Sequence, residues 1–119
     1  MRIRHNYKNL KIWILGLQIT LDVSAIIATF PKHEIFGLTS QLSHCSISMP
    51  SNISEGSAWT DTALSNYLDI SLGSSFELDT QLLVAHHKKY IPAETLEALE
   101  EKISEWQKMT MGFQNGLNR

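Results

Sequence analysis

Carboxylates, histidines and a single thiol are the residues of this chain with chemical potential, and their spacing decides what they can do. Glu55 and Glu77 stand on neighbouring helical segments, where two carboxylates lining a cleft could serve as general acid and base. A helix bundle can also use carboxylates for a di-metal centre built from Glu-x-x-His, but no Glu or Asp here has a His three residues later. His86 and His87 are adjacent, so on a helix they point about 100° apart and cannot grip one ion as residues four apart can. The plainer reading is a solvated pair in a helix's last turn, where the dipole favours positive charge. His44 and Cys45 diverge for the same reason and make no nucleophile–base pair. Cys45 lies on an apolar stripe and reads as a small buried hydrophobe. This inventory implies no enzyme, no metal and no cofactor.

The elements that must position these residues are bounded by the composition. With 119 residues, the chain could bury roughly two thirds of the surface its unfolded form exposes, so one domain over residues 1–119 is expected. A formal charge of −2, with 43% hydrophobic and 18% charged residues, separates it from disordered and strongly basic chains. One cysteine cannot form an internal disulfide, which fits a reducing, cytoplasmic setting. Arg2, Arg4, Lys8 and Lys11 precede the apolar run Ile12–Leu17, but Gln18 and Asp22 soon break it; it is too short to span a bilayer and lacks a clean cleavage site. Without secretion, Asn52-Ile53-Ser54 carries no glycan.

Hydrophobic spacing predicts four helices, at about 7–29, 35–57, 61–89 and 92–117, and no strand. The first carries Leu10, Trp13, Leu17, Thr20, Ser24 and Ile27 on one face and stops near Phe30-Pro31. In the second, Leu38, Leu42, Cys45, Met49 and Ile53 recur up to Gly56, the expected terminator. Pro50 falls inside it, removing the bond to the Ser46 carbonyl at a cost of ~3 kcal/mol unless neighbours compensate, so a kink is expected. The third helix starts from Thr60 or Asp61 as N-cap and carries Leu64, Leu68, Ser71, Ser75, Leu78, Leu82 and Ala85. Gly73 and Ser74 at its middle leave room for a close neighbour. The fourth opens at Pro92 and has an unbroken seam of Leu96, Leu99, Ile103, Trp106, Thr110, Phe113 and Leu117. Short connections favour antiparallel neighbours, hence an all-α, up-down-up-down four-helix bundle.

Phe30-Pro31-Lys32-His33-Glu34-Ile35-Phe36-Gly37-Leu38, Gln41-Leu42, Ser48-Met49-Pro50-Ser51-Asn52-Ile53-Ser54-Glu55-Gly56, Gly73-Ser74 and Glu77–Leu82 follow one another in an order and spacing that resembles a known bacterial family. Its members are four-helix bundles first noted as reading frames within intervening sequences of large-subunit ribosomal RNA genes. Relatives accompany the reverse transcriptases of diversity-generating retroelements. The resemblance implies a ring-like homopentamer with no established enzymatic activity, and nucleic-acid binding in the basic members. This chain departs from that pattern at Ser43, His44 and Trp59, where the family usually carries arginine.

The departure extends further, because no Lys or Arg occurs from His33 through His87 while Glu34, Glu55, Asp61, Asp69, Glu77 and Asp79 do. Phosphate binding draws most of its affinity from Lys and Arg, so nucleic acid is the disfavoured partner and is confined to the N-terminal cations and Lys88-Lys89. Gln41, Ser48, Asn52 and Glu55 on the second helix, with Ser74, Glu77 and Gln81 on the third, read as a polar network in preference to an active site. Trp13 and Trp106 lie on seams and are expected in the core. Trp59, Tyr67, Leu72 and Phe76 fall outside the seams and are expected at a subunit contact. The first and third helices carry apolar arcs wider than one bundle core needs. The leading expectation is therefore a non-enzymatic, cytoplasmic, oligomeric scaffold or adaptor for another macromolecule. The alternative is a nucleic-acid-binding accessory protein.

Overall fold

A computed structural model describes residues 4–117, which form four α-helices with no strand among them. Arg2 of the N-terminal basic group lies outside the described residues. The helices are α1 (Lys11–Ile27), α2 (Leu38–Gly56), α3 (Asp61–His87) and α4 (Ala93–Leu117), packed into a body of 51 × 24 × 20 Å.

The helix ends show how local chemistry sets boundaries. Periodicity places the first helix from residue 7, but Tyr7–Asn9 form a 3-10 turn and Leu10 is extended at φ −76°, ψ 126°, so α1 begins at Lys11. The second was expected from residue 35. Lys32–Glu34 instead make a second 3-10 turn after Pro31, and Gly37 at φ −113°, ψ −116° delays α2 to Leu38. Thr60 caps α3 as expected, its side chain accepting from the Ala63 N–H at 3.2 Å. The expected role of Gly56 changes, since no described glycine has positive φ and α2 closes through a right-handed Ser57. A Cβ at Gly56 would lie 2.8 Å from both Leu64 Cδ1 and Tyr67 Cβ, so glycine is needed there for the close approach of α3.

The only described non-glycine residue with positive φ is Lys89, at 66°. It ends α3 in a Schellman arrangement, with Tyr90 N–H donating to the Ala85 carbonyl and Lys89 N–H to the His86 carbonyl, both at 2.9 Å. α4 follows immediately behind Pro92, whose carbonyl accepts from Leu96.

The seams of α2, α3 and α4 meet in one core, but α1 turns inward a different face from the one its spacing predicts: Ile12, Gly16, Ile19 and Val23 are buried, whereas Leu10, Trp13, Leu17, Thr20 and Ile27 are half-buried and Ser24 is exposed. Ile19, Val23, Leu42, Met49, Ile53, Leu64, Leu68, Leu78, Leu82, Ile103 and Trp106 are fully enclosed, each contributing roughly 1.5–3 kcal/mol of burial. Trp106 is central as expected; Trp13 is half-buried against the edge of Tyr7, ring centres 5.4 Å apart. Polar links across neighbouring helices run in opposite order along the two helices of each pair. Ser48 meets Ser74 while Gln41 meets Gln81, and Ser75 meets Gln107 while Ser65 accepts from Gln114.

Candidate functional site

The motif residues centre on α2, and Pro50 explains part of their arrangement. Proline has no N–H, so the Ser46 carbonyl four residues earlier loses its helical donor. Thr20 of α1 supplies the replacement, its Oγ1 lying 2.8 Å from that carbonyl. Gly16, one turn before Thr20, faces Trp106: a Cβ there would crowd its Nε1 at 3.2 Å, while Pro50 Cβ at 3.7 Å would be an ordinary contact. The buried hydroxyl of Ser71 then donates to the Met49 carbonyl at 2.9 Å. α2 thus continues through a buried proline because both neighbouring helices serve its backbone.

The polar residues of α2 and α3 do converge, in two groups. In the first, Asn52 Nδ2 donates to the Ser48 carbonyl and hydroxyl at 2.8 and 2.9 Å, and Ser74 Oγ donates to Ser48 Oγ at 2.8 Å. This engages the Asn52 amide that a glycan would need. In the second, Gln81 Nε2 lies 3.3 Å from Gln41 Oε1 and 3.2 Å from Glu77 Oε1, and the Cys45 thiol points at Gln81 Oε1 from 3.7 Å. Cys45 is 3% exposed, and burial followed by the neighbouring Glu77 carboxylate pushes its thiol up to about 11. It is therefore a protonated, inert thiol at neutral pH.

Glu55 joins neither group; it accepts from the Tyr67 hydroxyl at 3.3 Å. Tyr67 and Glu77 stand ten residues apart on α3, or ~15 Å at 1.5 Å per residue, so Glu55 and Glu77 do not form an acid–base pair. Gly73 faces open space with nothing within 4 Å of an added Cβ, so the neighbour it could admit is not part of this chain. His86 is more engaged than a solvated reading allows, its Nδ1 lying 3.0 Å from the Ile91 carbonyl.

The remaining motif residues build a rigid corner. Phe30 is buried and tilts against Tyr90, ring centres 5.2 Å apart, with Pro31 leading the chain into its turn. Glu34 is buried beneath, accepting from the Tyr90 hydroxyl at 2.8 Å, the Leu38 N–H at 3.2 Å and Lys88 Nζ at 3.4 Å. Those contacts, Tyr90 first, hold its carboxyl below the usual carboxylate value, and Glu34 in turn holds the Tyr90 hydroxyl above its ordinary value. Glu34 thereby caps α2 from outside, in place of Gly37, which has no side chain to do so. A Cβ at Gly37 would lie 2.8 Å from Glu34 Oε1, so the turn closes only around glycine.

Of the residues expected at a subunit contact, Trp59 and Phe76 are each 52% exposed and Tyr67 is half-buried. Leu72 is a correction. It is 8% exposed and belongs to this chain's own core, because α3 turns that flank inward. Spacing also left four important residues unassigned: Thr20 as a proline's hydrogen-bond partner, Lys88 and Tyr90 as partners of Glu34, and Phe36, which is 98% exposed. An aromatic inside a Gly-containing turn was the visible signal for Phe36.

Basic residues are spread over the N-terminal segment, the α1–α2 and α3–α4 connections, and the middle of α4, where Lys102 and Lys108 stand. Arg4 Nε donates to the Ala58 carbonyl at 3.1 Å, while His5 meets Asp61 at 3.0 Å and stands edge-on to Phe113, tying one end of the body together. Lys32, Lys88 and Lys89 lie at the other end, and Lys102 is bound to Asp22 at 2.7 Å. On α3 and α4, Asp79 lies beside Glu100 and, with burial, raises the Glu100 carboxyl. Among the described residues no group of three or more His, Cys, Asp or Glu side chains could hold a metal ion, and no helix is long and apolar enough to cross a membrane. A groove of about 380 Å³ runs between α1 and α4, floored by Ala25, Ile26, Ala98 and Leu99 and rimmed by Asp22 and Glu94.

A protein of unknown function from the S23 ribosomal protein family of Bacteroides thetaiotaomicron shares the fold in its crystal structure. Its TM-score is 0.80 at 18% identity, over 87% of this chain and 97% of that one. Among curated proteins, none matches. The sequence model described as 23S rRNA-intervening sequence protein covers residues 8–112, nearly all of the body whose Pro50 and Glu34 contacts are set out above, and the chain belongs to that family.

Proposed function

We propose that this protein is a non-enzymatic, self-associating scaffold that binds another macromolecule in the cytoplasm. The observation that carries this reading is the surface. Among the described residues eleven large apolar side chains are exposed, from Ile14 and Leu21 on α1 through Trp59, Ile70 and Phe76 to Met111 on α4. Four of them, Ile70, Phe76, Leu83 and Val84, recur at helical spacing on the outward side of α3 around Gly73, and apolar residues gathered on one face mark interaction sites. By contrast, the convergent polar groups are spent on backbone carbonyls and on one another, with Glu55 and Glu77 apart and Cys45 protonated. The finer architecture belongs to the same proposal: one domain, an up-down-up-down bundle suggested by the opposed pairings along its helices, an α2 bent at Pro50, and a ring-like homopentamer. Trp59, Tyr67 and Phe76 contribute to its contacts.

Light scattering on the purified chain tests the assembly. A mass near five times 13.5 kDa is expected, and a monomeric mass at high concentration would overturn it. The family's association with ribosomal RNA genes motivates a second reading, nucleic-acid binding. The cations weigh against it, since no Lys or Arg occurs from His33 through His87, the stretch that builds α2 and α3, and Lys88 and Lys102 are engaged by carboxylates. A gel shift with RNA and single-stranded DNA at low salt should show no complex. A salt-sensitive complex would replace the scaffold reading with this one.

A further inference from the structure

Phe36 is the most anomalous residue of the fold, because a phenylalanine ring is 98% exposed on a turn that the protein holds rigidly. Ile35 beside it is half exposed. The turn is braced from beneath by buried Glu34, which binds Tyr90, Lys88 and the first N–H of α2, and it closes tightly at Gly37. The backbone that carries the ring is thus held in place, so little backbone ordering entropy remains to be lost when the ring is buried. Its own chain does not cover it.

We infer that the Phe36 tip inserts into the α1–α4 groove of a second copy of this chain. The inference rests on the self-association proposed above and names the contact that produces it. Shape and charge select the occupant. The tip is apolar on the end of the body that carries exposed Lys32 and Lys89, whereas the groove is apolar at Ala25, Ile26, Ala98 and Leu99 and is also lined by Asp22, Glu94 and Lys102. Exposed Glu97 and Glu101 extend the negative surface along α4. Asp22 and Lys102 pair at 2.7 Å and cancel, so the free negative charge of the groove comes from Glu94 and from Glu97 and Glu101 beyond it. A buried aromatic anchor surrounded by complementary charge has the anatomy of an interface hot spot. Tip and groove are different surfaces, so copies join head to tail, and such a contact either closes into a ring or propagates.

The test combines mass and cross-linking. Phe36→Asp removes the tip and Ala98→Trp fills the groove; both positions are exposed, so both variants keep the helical circular dichroism of the parent. Each is expected to reduce the light-scattering mass to that of one chain. Mixing Phe36→Cys chains with Ala98→Cys chains under an added oxidant is expected to give the mixed disulfide-linked dimer faster than either variant alone gives its collisional homodimer, with buried Cys45 taking no part. If the parent is oligomeric while both variants keep its mass and the mixed dimer forms no faster, the contact is wrong and the self-association reading survives. If the parent itself is monomeric at high concentration, both fail. Loss of a different co-purifying protein from Phe36→Asp, with the parental mass retained, would assign the tip to that protein and overturn the inference.

Discussion

Trp106 Nε1 donates to the Ile12 carbonyl at 2.8 Å, joining α4 to the first turn of α1 across 94 residues of sequence. The indole is fully buried beside Gly16, where even a methyl group would come within 3.2 Å of its nitrogen. Trp106→Phe removes both the donor and one ring of core volume. Destabilisation of about 2 kcal/mol is expected, read as a lower urea midpoint with an unchanged slope.

Thr20→Val tests the account of Pro50. The substitution keeps the side chain's shape but leaves the Ser46 carbonyl with neither a helical donor nor a hydroxyl. A loss of about 1–2 kcal/mol is expected. In a Pro50→Ala background the restored N–H bonds that carbonyl again, so Thr20→Val should cost measurably less there; equal losses in both backgrounds would contradict the pairing.

Lys89 adopts φ 66°, a conformation that costs a non-glycine residue about 1–2 kcal/mol. Lys89→Gly relieves that strain, partly offset by the greater freedom of an unfolded glycine. A net stabilisation of about 0.5–1 kcal/mol is expected in thermal and urea unfolding.

Glu34 gives the fold a defined acid response. Its carboxyl is held below the ordinary value of 4.5, chiefly by the Tyr90 hydroxyl. A lowered folded value means that its stabilisation is present above the unfolded pKa and is lost as pH falls through the folded one. Urea midpoints of the parent should therefore fall between about pH 5 and about pH 3 more steeply than those of Glu34→Gln. Parallel curves would show that the carboxylate makes no such contribution.

Cys45 should be silent in the native state. With its thiol raised to about 11 by burial and by Glu77, a thiol-specific reagent at about pH 8 should label folded chains roughly 100-fold more slowly than urea-unfolded ones.

The helices were legible because periodicity reports burial directly. The α4 seam from Leu96 through Thr110 and the α3 seam from Leu64 to Ala85 are enclosed as their spacing predicts. Where a residue's role depended on a partner distant in sequence, spacing was silent or misleading. Leu72 looked like surface for a second subunit because the α3 pattern was read with too narrow an inward face. Gly56 looked like a left-handed terminator, since glycine serves both that role and close packing, and only the approach of Leu64 and Tyr67 distinguishes them.

By itself, the sequence determined the helix count, the core seams of α2, α3 and α4, an N-cap at Thr60 or Asp61, and the family, all of which depend on residue type and local spacing. The tertiary structure alone decided that Thr20 answers for Pro50, that Glu55 and Glu77 stand apart, and that buried Glu34 braces a turn exposing Phe36. The physical reason is that hydrogen-bond satisfaction and solvent exposure belong to pairs of surfaces, and helix packing brings those surfaces together across tens of residues that no local pattern spans.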